Sequence, residues 1–565
     1  VFLPPSHPPA APLGLLSRHA LVALVAALCA LLLTSAPRLQ AALGAGRLAA
    51  ATEHPACTQE AIAQMRAGGN AVDAAVSAAL VAGVVSPTSS GLGGGGFALA
   101  WLAADRRAYL LDFRETAPQG MDVAAFEQRP LPEAQRGKLV GVPGELRGLF
   151  TLQRKLGRRR WQEVVAPAIR LAKAGFAVGR HLGETLRSQG GRLRRDPGLA
   201  AVFYPGGRPA AVGKLLTNPK LAATLEQVAA GGATPLYEGP IAADLVQAAS
   251  SAGGALALGD LRAYQPVERG PLHVRWEGHD IYTMPPPSAG GLMLAQTLTM
   301  LSRAELSRLG HNSGAYQHLL AEVARAAIAD RMRFLGDPGH MQVAVSRLLD
   351  RQRLAERRRS IALDRTHAIP RFGLEAGGTH ALVTADAGGN WVSLTTTVNT
   401  VFGAELTGRQ SGVILNDQLD DFTQRKDVQP FNMTQSPNRP RPGARPVSSM
   451  TPTIVVRDGR AVLVLGGSGG PAIATNVTQL VLSHLVFGLK PAAAVKAARF
   501  YIPTHSAFIW LERGAAPALV ADLQRRGEIV GTAPSTKSAV QMIALCSGLK
   551  APAADPRKYG SALAQ

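Results

Sequence analysis

From residue 71 to residue 85 the chain is apolar at almost every position, the pattern of a helix buried on all sides. Its length and Asp73 set it apart from a membrane span. A shorter helix is predicted before it over residues 58–67, with Thr58 as N-cap and Gly68-Gly69 as its stop. Further helical patterns fall around residues 149–174, 221–230 and 316–334. Strand-like runs occupy 97–102, 110–115, 281–283, 453–456 and 461–465. The clearest pair is a hairpin: residues 379–386 and 391–398 suit strands, and Ala387-Gly388-Gly389-Asn390 supplies the turn. Folding the chain about that turn places Thr397 or Val398 opposite Thr379, with Ser393, Thr395 and Thr397 on one face. Residues 351–376 have little apolar periodicity and read as an exposed basic connection into Gly378.

Composition narrows the class. The chain has 565 residues, 46% of them hydrophobic, enough for two or more domains or one large interwoven core. Its 60 glycines and 39 prolines imply many turns, without a collagen-like or solenoid period. The formal charge is +21, with basic clusters at Arg154-Lys155, Arg158-Arg159-Arg160, Arg194-Arg195 and Arg357-Arg358-Arg359. Aromatics make up only 5%, so these clusters read as solvated helix faces and not as a nucleic-acid surface. Residues 1–45 read as an export segment, either cleaved as a signal peptide or kept as an anchor. Arg18 and His19 precede an apolar run over 20–33, and Thr34-Ser35-Ala36 follows. The expected location is periplasmic or extracellular. Loss of that segment removes Cys29 and leaves Cys57 and Cys546, as one disulfide or as two buried thiols.

Two glycine clusters invite chemistry. Gly91-Leu92-Gly93-Gly94-Gly95-Gly96 matches GxGxxG formally, but a helix precedes it and a strand follows, the reverse of a dinucleotide fingerprint. Close backbone approach is the better account. Gly466-Gly467-Ser468-Gly469-Gly470 is expected to open a helix over 473–487, and its amides could stabilise an oxyanion. A helix start without a ligand fits that motif equally well. Metal-ligand spacings such as HExxH do not occur, and no cofactor is expected.

Several short motifs together resemble the γ-glutamyltransferase family, over about residues 58–560. They are Gly68-Gly69-Asn70-Ala71-Val72-Asp73-Ala74-Ala75, the 91–96 glycine run, Asp112-Phe113-Arg114-Glu115, the 285–291 segment and Asp417-Gln418-Leu419-Asp420-Asp421-Phe422. Arg445-Pro446-Val447-Ser448-Ser449-Met450 and Asp555-Pro556-Arg557 complete the set. The resemblance implies an α+β fold, an αββα sandwich of the N-terminal-nucleophile hydrolase type. It also implies a precursor cut between Gly378 and Thr379 into a large subunit, 46–378, and a small subunit, 379–565, that stay interwoven. The substrates it implies are glutathione and other γ-glutamyl compounds, with water, amino acids or peptides as acceptors.

The resemblance also assigns roles. Thr379 matches the nucleophile and Thr397 the supporting threonine; Gly469 and Gly470 match the oxyanion-hole turn. Arg114, Ser448 and Ser449 match the groups holding the glutamyl α-carboxylate, and Asn399, Gln418 and Asp421 those holding its α-amine. One departure stands out: the family's histidine two places after the nucleophile is Ala381 here, with His380 one place earlier. Gapless spacing to Asp386, Gly389, Asn390 and Asn399 keeps Thr379 as the nucleophile. The stretch between Asp421 and Ser448, with Phe431 and Asn432, is long enough to act as a lid. Two rivals remain: a related amide acylase of the cephalosporin acylase kind, and an unprocessed binding homologue without turnover.

Overall fold

The computed structural model describes residues 46–124, 131–367, 378–423, 436–503, 508–536 and 538–565. Two antiparallel sheets form its centre. The seven-stranded sheet runs Ser561–Ala564, Ala49–Thr52, Gly378–Ala385, Trp391–Asn399, Gly95–Leu102, Arg107–Phe113, Val267–Arg269. The six-stranded sheet runs Leu549–Ala553, Ala539–Cys546, Arg460–Ser468, Thr453–Arg457, His279–Thr283, Leu272–Trp276. Strands from before and after Gly378 are therefore neighbours in both sheets. A break at that bond would leave both pieces contributing strands to both sheets.

The side-chain alternation of the strands builds the layers. Leu382, Val392 and Leu394 face a core shared with the helices Pro55–Arg66, Ala71–Val85, Glu145–Leu156 and Trp161–Ala174. Their neighbours Val383, Ala385 and Trp391 face the opposite way, into the core between the sheets and the helices Gly290–Met300, Gly314–Phe334 and Ala472–Leu485. The order is helix, sheet, sheet, helix, the expected αββα sandwich. Ser393 Oγ crosses the sheet interface to donate to Leu465 O at 3.0 Å.

Several local expectations are corrected. The first helix begins at Pro55, not Thr58: proline suits the first turn, and His54 Nδ1 accepts from the Ala56 amide at 3.2 Å. The basic connection contains a helix, Arg351–Ser360, capped by Asp350 and pinned by Arg353 and Arg357, which pair with buried Asp330 at 2.6 and 2.9 Å. That part of the arginine cluster is bound into the fold and is not a free solvated face. Gly466 and Gly467 continue a strand that ends at Ser468, so only Gly469-Gly470 turns before the helix Ala472–Leu485. Cys57 and Cys546 are both free thiols. The export segment, the middle of the expected lid with Phe431 and Asn432, and residues 368–377 lie outside the described residues. Among the described residues no helix is long and apolar enough to cross a membrane.

Candidate active site

The hairpin carries the first part of the site. Its strands pair Thr396 with His380 and Asn399 with Gly378, and the register shifts between these pairs. The bulge leaves Thr397 across from Thr379. Asn399 takes a positive φ of 75° to make it, a conformation asparagine tolerates better than most residues. Thr397 Oγ1 accepts the Asn399 amide at 2.8 Å, donates to the Gly378 carbonyl oxygen and lies 3.5 Å from Thr379 Oγ1. One hydroxyl thus spends its only proton on the carbonyl preceding Thr379 and keeps a lone pair for the Thr379 hydroxyl. Both threonines are buried.

The 91–96 glycine run is explained by approach to this hairpin. A Cβ on Gly94 would lie 2.1 Å from Thr397 O, and one on Gly96 2.1 Å from Thr395 O. Only glycine lets this segment lie against the threonine strand.

Alternation sends His380 to the other face, so its ring is turned away from the Thr379 hydroxyl. There it borders a cavity of about 490 Å³ with His54, His181, Phe176, Val178 and Lys558. Among the described residues neither of its ring nitrogens has a hydrogen-bond partner. Burial, reinforced by the Lys558 charge, pulls the imidazole down to about 3, so it is neutral at physiological pH.

A second group surrounds Arg114, just past the end of the strand Arg107–Phe113 and only 1% exposed. Its Nη2 donates to Asp421 Oδ2 at 2.6 Å and to Val447 O at 2.9 Å, and its Nε donates to Pro446 O at 3.2 Å. The salt-bridge partner is therefore Asp421; Asp112 instead pairs with Arg269 at 2.7 Å. Burial raises the Asp421 carboxyl, and the Arg114 charge opposes that shift. Gln418 Nε2 donates to the same Asp421 oxygen at 2.8 Å. Asn399 Nδ2 donates to Asp417 O at 3.1 Å, which ties the hairpin to the segment bearing Gln418 and Asp421. Ser448 Oγ accepts the Met450 amide at 3.1 Å, and Ser449 Oγ accepts from Arg331 Nη1 at 2.5 Å. Both serines stand in the segment whose carbonyls hold Arg114.

The third element is the turn Gly469-Gly470, with φ of 111° and 61°, a backbone that favours glycine. It hands the chain from the six-stranded sheet to the helix Ala472–Leu485, whose N-terminal dipole favours negative charge there. Residues that the motifs did not single out complete the setting. Asn416 donates to Gly93 O at 2.7 Å and Gly141 O at 2.9 Å, and accepts from the Gly141 and Gln418 amides. Lys558 Nζ donates to Thr379 O at 2.9 Å and Ser468 Oγ at 2.7 Å, and pairs with Glu53 at 3.3 Å. Lys558 follows Asp555-Pro556-Arg557 directly, which was the one signal in the sequence that could have pointed to it.

The Gamma-glutamyltranspeptidase family model matches residues 57–565. The chain belongs to this γ-glutamyltranspeptidase family. It is 33% identical over 542 residues to a glutathione hydrolase proenzyme of Bacillus subtilis (strain 168), covering 91% of this chain and 90% of that one. A glutathione hydrolase proenzyme of Pseudomonas aeruginosa is 36% identical over 484 residues, covering 82% and 83%. Among solved structures, the cephalosporin acylase of Bacillus halodurans superposes with a TM-score of 0.83 at 25% identity, covering 92% of this chain and 96% of that one. Membership of the γ-glutamyltranspeptidase family makes the chain an enzyme with the N-terminal-nucleophile hydrolase fold.

Proposed function

We propose that the chain is a self-processing γ-glutamyltransferase and glutathione hydrolase whose nucleophile is Thr379. The observation that carries this reading is the position of Thr397 Oγ1, hydrogen-bonded to the carbonyl of Gly378 and 3.5 Å from the hydroxyl of Thr379. In the precursor Thr379 Oγ1 attacks the Gly378 carbonyl carbon, and Thr397 donates to the oxygen on which negative charge develops. The Gly378–Thr379 C–N bond breaks, the Thr379 amine leaves with a proton, and an ester remains. Water hydrolyses that ester, giving a Gly378 carboxylate and restoring the Thr379 hydroxyl. The products are a large subunit, 46–378, and a small subunit, 379–565.

Turnover repeats the chemistry on a γ-glutamyl amide. The released Thr379 amine accepts the hydroxyl proton, and the hydroxyl oxygen attacks the γ-carbonyl. The Gly469-Gly470 amides receive the oxyanion. The leaving amine takes the proton, and water or an amino acid or peptide amine then resolves the ester. Arg114, with Ser448 and Ser449, takes the substrate's α-carboxylate; Asn399, Gln418 and Asp421 take its α-ammonium. We also assign residues 1–45 to export, which would put these subunits in a periplasmic or extracellular setting.

The likeness to cephalosporin acylase supports a second reading, hydrolysis of amides whose acyl group lacks the α-amine. The paired Arg114 and Asp421 favour the γ-glutamyl substrate, because a glutaryl group offers Asp421 no ammonium. Mass spectrometry of the small fragment, with γ-glutamyl and glutaryl anilides assayed in parallel, tests both. A fragment beginning at Thr379 and preference for γ-glutamyl are expected. Thr379→Ala should abolish cutting and turnover; a variant still cut at the same bond overturns the nucleophile assignment.

A further inference from the structure

Thr379 stands on the seven-stranded sheet and Ser468 closes a strand of the six-stranded sheet, directly before Gly469-Gly470. A single ammonium joins them. Lys558 Nζ has three N–H donors, and three acceptors surround it: Thr379 O at 2.9 Å, Ser468 Oγ at 2.7 Å and Glu53 Oε2 at 3.3 Å. The other Glu53 oxygen accepts the Ala381 amide at 3.0 Å, two residues along the nucleophile strand. Lys558 and Glu53 are both largely buried, with 13% and 5% of their side chains exposed. Water therefore screens this clip weakly.

We propose that Lys558 is a positioning residue, which fixes Thr379 against the oxyanion turn and whose charge keeps the amine released at Thr379 neutral and able to accept a proton. This rests on Thr379 being the nucleophile. A free α-amine ordinarily titrates near about 8. It would be largely protonated at neutral pH and useless as a base, and a cation held on the carbonyl of the same residue opposes that protonation. The other ionisable groups packed around Thr379 do not supply the charge. His380 and His54 are held neutral by burial, at about 3 and about 4, and burial lowers His181 as well. Arg114 and Asp421 neutralise each other on the glutamyl side. Burial pushes Asp417, reached through Thr400, up to about 7, so it is partly neutral and supplies no positive charge. Glu53 opposes Lys558 within their own pair, but it is the Lys558 ammonium that touches Thr379, through its carbonyl oxygen.

The test uses the full chain carrying Lys558→Met, Lys558→Arg or Glu53→Gln, with kcat for a γ-glutamyl anilide measured against pH. Lys558→Met should lower kcat at least about tenfold with KM little changed, and move the acid limb of the profile to higher pH. Lys558→Arg should restore most of kcat, and Glu53→Gln should move the acid limb to lower pH. Opposite movements are the signature, since a merely structural clip would move neither limb. Unmoved limbs in both variants, or a raised KM with kcat intact, overturn the proposal. If Lys558→Met fails to fold, the direction of the Glu53→Gln shift decides. A wild-type small fragment that does not begin at Thr379 would instead refute the nucleophile reading.

Discussion

Arg114 and Asp421, assigned to opposite ends of the glutamyl head group, are hydrogen-bonded to each other at 2.6 Å. A γ-glutamyl group carries the complementary charges, a carboxylate and an ammonium. Binding therefore exchanges one ion pair within the protein for two with the substrate, and discrimination comes from matching both at once. Replacing Arg114 by glutamine leaves Asp421 without its partner and the substrate carboxylate without its guanidinium. Arg114→Gln should raise KM for a γ-glutamyl anilide by the equivalent of about 2–5 kcal/mol while self-cutting persists. Steady-state kinetics on the processed variant checks this; an unchanged KM removes Arg114 from the binding site.

Thr397 is assigned to the scissile carbonyl before it serves turnover. Thr397→Val keeps the shape and loses the donor to Gly378 O, so self-cutting should slow by the equivalent of about 3 kcal/mol, roughly a hundredfold. Thr397→Ser should cut at close to the wild-type rate. A time course on denaturing gels reads both, and a valine variant that cuts as fast as wild type would show that the hydroxyl is not needed.

What could be read in the sequence was what local rules control. The hairpin was legible because two runs of strand-forming residues flank a turn of suitable residues, and folding about that turn brought Thr397 near Thr379. The helix Ala71–Val85 announced its burial through uniform apolarity. The helix Arg351–Ser360 did not, because only its Leu354 is buried and it is held by ion pairs to Asp330 instead of an apolar stripe. Glu53 was invisible, and Lys558 marked only by its place after Asp555-Pro556-Arg557, for a related reason. Their partners lie far away in the chain, 179 residues between Lys558 and Thr379, and no local pattern encodes such a meeting.

Glu115 offers a pH test of the core beside the site. Its carboxyl is buried, neither oxygen has a hydrogen-bond partner among the described residues, and burial pushes it up to about 8, against the pull of Arg114. In the unfolded chain it titrates near about 4.3. Between those values the folded protein holds a proton that the unfolded chain has lost, so stability falls as pH rises. The contribution is fully present below the unfolded value and lost on passing through the folded one. Glu115→Gln cannot ionise and should flatten this part of the decline, its advantage over wild type growing towards pH 9. Thermal melts between pH 5 and pH 9 would show the curves diverging upward in pH; parallel curves would mean that the carboxyl ionises without cost.

Asp555 bears on stability and on the site together. It is fully buried and pairs with buried Arg499, while also accepting the Val540 amide at 2.9 Å and the Arg557 amide at 3.0 Å. These bonds anchor the segment that delivers Lys558, three residues later, to Thr379. Removing one partner of a buried pair leaves an uncompensated charge, so Asp555→Ala should cost about 3–5 kcal/mol in urea unfolding. Because the same bonds position Lys558, activity per folded molecule should fall as well. Urea melts and active-site titration on the same preparation separate the two effects. A variant that loses the stability but keeps full turnover per folded molecule would show that Lys558 finds Thr379 without the Asp555 anchor.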